Sequence, residues 1–111
     1  MKTYDLLAQA ASAVSARADR PATAVVHDSA DARLVIFRIE PGQTVAPHTN
    51  PSTVMLSVIA GSGNVSDAEG ERSVRAGQIV TYDPGELHGM RAGDERLVIL
   101  AMIAPRPGAA R

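Results

Sequence analysis

The sequence predicts an all-β protein, an antiparallel barrel or sandwich, preceded by one short N-terminal α-helix. Three observations carry that prediction. After Pro21 the chain breaks into short runs rich in Val, Ile and Leu, separated by turn residues, with no later helical pattern. Only residues 4–18 repeat their apolar side chains at helical spacing. Two of the later runs are apolar on both alternating faces, as a sheet covered on both sides requires.

Tyr4, Leu7, Ala11, Val14 and Ala18 recur three or four positions apart, so 4–18 reads as an amphipathic helix, with Thr3 able to cap it and Pro21 closing the segment. Its polar face is not basic, which favours packing on its own domain over binding a membrane. Strands follow at ATAVVH (22–27) and RLVIFRIE (33–40), with SAD between them and a PG turn at 41–42. VMLSVIA (54–60) leads into GSGNV, and AEGE (68–71) reads as a hairpin turn before RSVR. QIVTY (78–82) ends at DPGE, HGMRA follows, and ERLVILAMIA (95–104) precedes a Pro-rich tail. The expected organisation is a helical segment at 1–20, a β-barrel at 21–104 and a tail at 105–111.

An internal echo supports a two-part barrel. EPGQTV (40–45) and RAGQIV (75–80) each place Gly-Gln at the start of a strand, and each is followed by a histidine. Two such hairpins meeting face to face would bring those histidines together. In VMLSVIA, Val54, Leu56 and Val58 lie on one side and Met55 and Ile59 on the other; in LVILAMI both sets are apolar. One short helix cannot cover a whole sheet, so a second subunit is the expected cover, giving a homodimer.

Composition narrows the function. With 45% hydrophobic and 21% charged residues over 111 positions, the chain is one soluble globular domain rather than a disordered one. Its net charge is −1, its arginines are scattered singly, and its only aromatic residues are Tyr4, Phe37 and Tyr82. Nucleic acid, which needs phosphate-neutralising charge and stacking platforms, is not an expected partner. The absence of cysteine excludes a disulfide frame, a thiolate metal site and a thiol nucleophile, and fits a cytoplasmic protein. SAVSA (12–16) mimics a signal-cleavage site, but Asp5 and Gln9 interrupt the apolar core such a signal needs, so it is read as mature protein. No run approaches the roughly 18 apolar residues of a membrane span.

Two glycine-framed stretches then carry a resemblance. Gly42 is followed after five residues by His48, and Gly61 closes the stretch; Gly77, Gly85 and His88 form a second frame. In spacing this resembles the two motifs of the cupins: glycine, five residues, His-x-His, three or four residues, Glu, six residues, glycine; then glycine, five residues, Pro-x-Gly, two residues, His, three residues, Asn. The resemblance covers roughly residues 33–104 and implies the cupin fold, a double-stranded β-helix or RmlC-like jelly roll. The family commonly holds Fe, Mn, Ni or Zn with three histidines and the glutamate. Carried over residue by residue, His48 and His88 keep their imidazoles, Asn50 stands at the second histidine, Val54 at the glutamate, Asp83 at the proline and Ala92 at the asparagine. The metal candidates are therefore His48, Asn50 and His88. A neutral amide oxygen is a poor ligand beside imidazole, and Val54 has no lone pair. Water or a bound anion would have to complete the shell.

Alternation also sketches a pocket. His88, Met90 and Ala92 share one face, as do Val54, Leu56 and Val58; in cupin register both sets look inward. The expected lumen is aliphatic with a polar spot, and its ligand-binding candidates are His48, Asn50, Val54, Leu56, His88 and Met90. Tyr82 ends a strand just before DPGE; its direction is open between interface packing and an acid beside His88. Asp83 and Glu86 read as solvated turn residues, and His27, outside both frames, as a strand-edge residue.

The reading that follows is a small-molecule-binding cupin barrel with a degenerate, metal-free or weakly metal-binding site. Two alternatives stay open: a metal-dependent cupin enzyme of dioxygenase or isomerase type, and a metal-free isomerase with His48, His88 and Tyr82 as catalytic acid and base. No Arg cluster is in register to hold a nucleotide-sugar diphosphate. A purely structural or protein-binding role using the outer sheet is the blandest option.

Overall fold

The structure, a computed structural model, describes residues 1–108, so the last three residues of the expected 105–111 tail lie outside the described residues. One helix, α1 (Leu6–Ser12), precedes nine strands among the described residues: β1 (Ala22–Asp28), β2 (Arg33–Ile39), β3 (Thr44–His48), β4 (Thr53–Ala60), β5 (Ser62–Asp67), β6 (Gly70–Arg75), β7 (Ile79–Tyr82), β8 (His88–Ala92) and β9 (Leu97–Ala104). They form a five-stranded sheet, β1-β2-β9-β4-β7, and a four-stranded sheet, β3-β8-β5-β6, with every pairing antiparallel. This is the all-β double-stranded β-helix the sequence predicts.

Between the sheets, Val54, Leu56 and Val58 of β4 meet Leu97, Ile99 and Ala101 of β9 and Val65, Met90 and Ala92 of the smaller sheet in one buried cluster. The alternation gives these side chains their inward direction. Val54, Leu56 and Met90, expected on the wall of an aliphatic lumen, are only 3%, 1% and 5% exposed and belong to this cluster, and Met90 also lines a cavity of about 220 Å³ beside β3.

The helix differs from its expectation. It ends at Ser12 rather than near Ala18, and its cap is Asp5, whose Oδ1 accepts from the Ala8 amide at 3.0 Å, not Thr3. The stripe of Tyr4, Leu7, Ala11, Val14 and Ala18 is exposed throughout. Ala10, flanked by Leu6, packs instead against Val26, Ile36, Val98 and Leu100 on the outer face of the large sheet. The small methyl lets the helix lie close to the sheet, where leucine at the contact would hold it off. Val14 has left the helix to bridge Thr23 at the edge of β1. Arg38 then fastens the helix, its Nη1 donating to the carbonyls of Ala10 and Ala11 at 2.8 and 3.1 Å.

The internal echo is one turn used repeatedly. In Glu40–Gln43 and in Arg75–Gln78, a positive-φ glycine sits third and the glutamine side chain accepts from the amide of the first residue, at 2.9 and 3.0 Å. Asp83–Glu86 repeats it with glutamate, whose Oε1 accepts from the Asp83 amide at 2.9 Å, and with Gly85 at φ +85°. Gly61 is required for a different reason as well. Its φ is +77°, and a Cβ there would lie 1.8 Å from the Arg96 carbonyl oxygen.

Candidate functional site

The two histidines of the glycine frames meet. His48 is the last residue of β3, His88 the first of β8, and the two are paired across the smaller sheet. Their ring centroids are 4.2 Å apart and inclined at 57°. Behind them, on the other sheet, Tyr82 ends β7 with its ring centroid 5.2 Å from that of His88. Three rings thus stack inward from the surface: His48 is exposed, while His88 and Tyr82 are each only 4% exposed.

Main-chain contacts aim both imidazoles. His48 Nδ1 lies 3.0 Å from the Ala46 carbonyl oxygen, and His88 Nδ1 lies 3.1 Å from that of Glu86. A carbonyl oxygen only accepts, so each Nδ1 carries a proton, and in the neutral ring Nε2 then keeps the lone pair. Neither Nε2 has a hydrogen-bond partner among the described residues. Burial lowers the pKa of His88, with the nearby His48 adding to the effect against an opposing backbone hydrogen bond, so His88 is neutral at pH 7.

Asn50 does a different job from the one its motif position suggests. Its Oδ1 accepts from the Ser52 amide at 2.9 Å, and its carbonyl accepts from the Gly85 amide at 2.8 Å. The first contact is an Asx turn; the second ties the loop after His48 to the turn before His88. Ser52, 2% exposed, extends the clamp by donating to the carbonyl of Pro105. Asn50 therefore positions the loops that carry the imidazoles.

Tyr82 points across the barrel. Its hydroxyl donates to the Ser66 carbonyl at 2.9 Å, joining the two sheets. Burial raises its pKa, and the carboxylates of Asp67 and Glu86 raise it further, so the phenol holds its proton on that bond. The same ring is a wall of a cavity of about 330 Å³ that Asp67, Glu69, Arg72, Val80 and Glu86 also line. Val54 is the Cα partner of Tyr82 across β4 and β7, and its side chain lies in the packed core beside it, as do Leu56 and Met90.

This donor set does not fit a firmly held divalent cation. Two imidazoles are available, the asparagine oxygen already serves an amide, and valine occupies the place where an anionic ligand would be needed. No group of three or more His, Asp or Glu side chains among the described residues is arranged to hold a metal. His27 lies apart, its Nδ1 3.4 Å from the Tyr4 hydroxyl.

Several supports of the site were invisible to pattern reading. The Ser66 carbonyl and the Asn50–Gly85 joint leave no sequence signature. The third turn did leave one, since DPGE repeats the form of EPGQ.

A family model described as a cupin domain matches residues 35–103. No curated protein matches the chain in sequence. Among solved structures, it is similar to an uncharacterised double-stranded β-helix protein from Klebsiella pneumoniae, at 26% identity and a TM-score of 0.83, over 99% of this chain and 94% of that one. It is also similar to an RmlC-like cupin from Desulfovibrio desulfuricans, at 25% identity and a TM-score of 0.80, over 95% and 97%. The DMSP lyase DddQ from Ruegeria pomeroyi shares the fold at 17% identity and a TM-score of 0.75, over 91% of this chain and 56% of that one.

Proposed function

The chain belongs to the cupin family, and from that premise we propose that it is a small-molecule-binding module whose site is the His48–His88 pair, with no tightly held metal. One observation carries the reading: both Nδ1 atoms are committed to backbone carbonyls, leaving two neighbouring Nε2 acceptors with no anionic group to complete a cation shell. Such a pair takes hydrogen bonds from a ligand, or lends itself weakly to a cation that arrives with other ligands. The fold itself does not choose, since its structural relatives differ in function.

The test is elemental analysis of protein purified without a metal-affinity column, followed by melting curves across a panel of metabolites. The expected result is far less than one equivalent of metal, no effect of chelator, and a saturable upward shift with at least one metabolite. One equivalent of tightly bound cation, lost with a fall in stability on chelation, overturns the reading.

The same reading includes a second copy of the chain. Leu7 and Val14 are 58% and 74% exposed on and just after the helix, apolar side chains that a symmetric partner would cover. Sedimentation at micromolar concentration tests it; a monomer there removes the dimer and leaves the site untouched. The cysteine-free composition suits the cytoplasm, the compartment this reading assigns. No helix among the described residues is long and apolar enough to cross a membrane.

A further inference from the structure

We propose that the His48–His88 site takes a small aliphatic carboxylate, whose charged end is held by Arg33 and whose hydroxyl donates to an imidazole. The proposal rests on the small-molecule reading above and names the ligand's chemistry.

One row of paired residues crosses the large sheet and ends at the stacked rings. Asp28 pairs with Arg33, Arg33 with Ile103, Ile103 with Val54 and Val54 with Tyr82. Directly paired residues share a face of the sheet. Val54 and Tyr82 lie in the inner core and Ile103 packs against it, so Arg33 also projects from the inner face. The Tyr82 ring stands against His88, and His88 against His48. β3 lies across from β1 and β2, since Thr23 and Phe37 share a cavity wall with Val45 and Ala46. β2 runs inward from Arg33 and β3 runs outward to His48, which sets both residues at one mouth of the barrel.

Arg33 lacks the partner its chemistry calls for. Of the three half-buried arginines, Arg38 pairs with Glu40 and Arg106 with Asp28, whereas Arg33 enters no ion pair among the described residues. The Nε atoms of Arg33 and Arg38 are both buried without a hydrogen-bond partner, but that of Arg38 still has Glu40 at 3.4 Å. Asp28, opposite Arg33 on β1, is taken by Nε and Nη2 of Arg106. Asp31, exposed on the turn before β2, forms no ion pair with it. A donor withdrawn from water without an acceptor is unfavourable, and a carboxylate accepts from the guanidinium fork at two points. The flexible stem lets that fork turn toward an arriving ligand.

The walls near Arg33 suit a short aliphatic body. Val25 pairs with Val35 on the same inner face, two positions along β2 from Arg33. Val25 is 50% exposed and Val35 half-buried, because β3 is the last strand of the smaller sheet and does not reach over β1. Asp67, Glu86 and Arg72 act on Tyr82 at the other end of the row. That end is three strands from Arg33, roughly 14 Å at the usual strand spacing and beyond the screening length of about 8 Å.

Three probes with one four-carbon chain and a terminal hydroxyl separate the possibilities: 4-hydroxybutyrate as the anion, 1,4-butanediol as the neutral form and 4-amino-1-butanol as the cation. Each is titrated at pH 7.5 into protein labelled with nitrogen-15, following Arg33 Nε and the imidazole nitrogens. The anion should move Arg33 Nε and at least one histidine Nε2 saturably, with affinity about tenfold or more above the other two. Arg33→Met, which keeps the packing of the stem, should lower the anion's affinity to that of the diol. Arg33→Lys, which keeps the charge without the fork, should restore part of it. Melting curves establish that both variants fold; if Arg33→Met does not, a loss of about two- to fivefold in Arg33→Lys carries the comparison. The diol or the amino alcohol binding at the histidines as tightly as the anion overturns the carboxylate class and leaves the small-molecule reading standing. An anion affinity unchanged in the folded variants does the same. An anion that moves Arg33 and neither histidine overturns the shared site. If no probe moves either ring, this proposal falls, and the metabolite panel above judges the broader reading by itself.

Discussion

On the inner face of the five-stranded sheet, Val54, Leu56, Leu97, Ile99 and Ala101 are at most 3% exposed, because a second sheet closes over them. On its outer face the same two strands present Met55, Ile59, Val98, Leu100 and Met102, and their cover is a seven-residue helix. Val98 and Leu100 are buried there, while Met55, Ile59 and Met102 stay half-exposed. Residue types hardly differ between the faces. Burial is set by the size of the opposing layer, and a run apolar on both sides records that both faces are covered without saying by how much.

Substitutions on each face should reproduce that inequality. Leu56→Ala, inside, is expected to cost about 3–5 kcal/mol in chemical denaturation, since the two sheets cannot collapse onto the cavity. Leu100→Ala, outside, should cost about 2–3 kcal/mol, because the helix can settle inward. Equal losses would mean that the outer layer is as rigid as the inner one. Arg38→Met keeps the stem's packing but leaves two carbonyls of α1 without their donor, and is expected to cost about 1 kcal/mol, with the loss concentrated in hydrogen exchange of residues 6–12. If the proposed dimer forms through the helix face, Leu7→Ser should leave the far-ultraviolet spectrum unchanged and shift the sedimentation coefficient to that of a monomer. A monomer with unaltered thermal stability would show that the outer face needs no partner to stay folded.

Protonation probes the inner side more gently. His88 has a folded pKa below its ordinary value near 6.5 because burial disfavours the charged ring. Above about pH 6.5 neither the folded nor the unfolded form binds that proton, and stability is level. As pH falls below this, the unfolded chain takes up the proton first, so stability declines until the folded pKa is passed. His88→Gln should flatten that slope. The carboxylates whose pKa values are lowered by arginine partners, Asp28, Glu40 and Glu71, act in a separate window, with ordinary values of 3.8 to 4.5. A slope that survives His88→Gln between pH 6.5 and 5 would assign it to another group.

The strands and the meeting of His48 with His88 were legible because each has a local cause: alternation for the strands, glycine frames at fixed spacing for the pair. The helix face was not. Alanine-rich sequence at 6–18 offers two helical stripes, and the choice between Leu7 and Ala10 depends on how closely the helix approaches a sheet built from residues far along the chain. The structural part Asn50 plays was not legible for a related reason. Its side chain could be read as a donor to a ligand, but its bond to Ser52 depends on loop conformation, and its carbonyl's bond to Gly85 joins segments 35 positions apart. Tyr82 had no readable direction until Ser66 supplied an acceptor on the opposite sheet.

The imidazoles take their aim from main-chain oxygens at positions 46 and 86, which no exchange of side chain at those positions deletes. Tautomer and orientation are thus inherited from the course of the chain rather than from neighbouring chemistry. An engineer can recolour the rim, acidic to basic or polar to greasy, and still present the same twin nitrogens to whatever arrives.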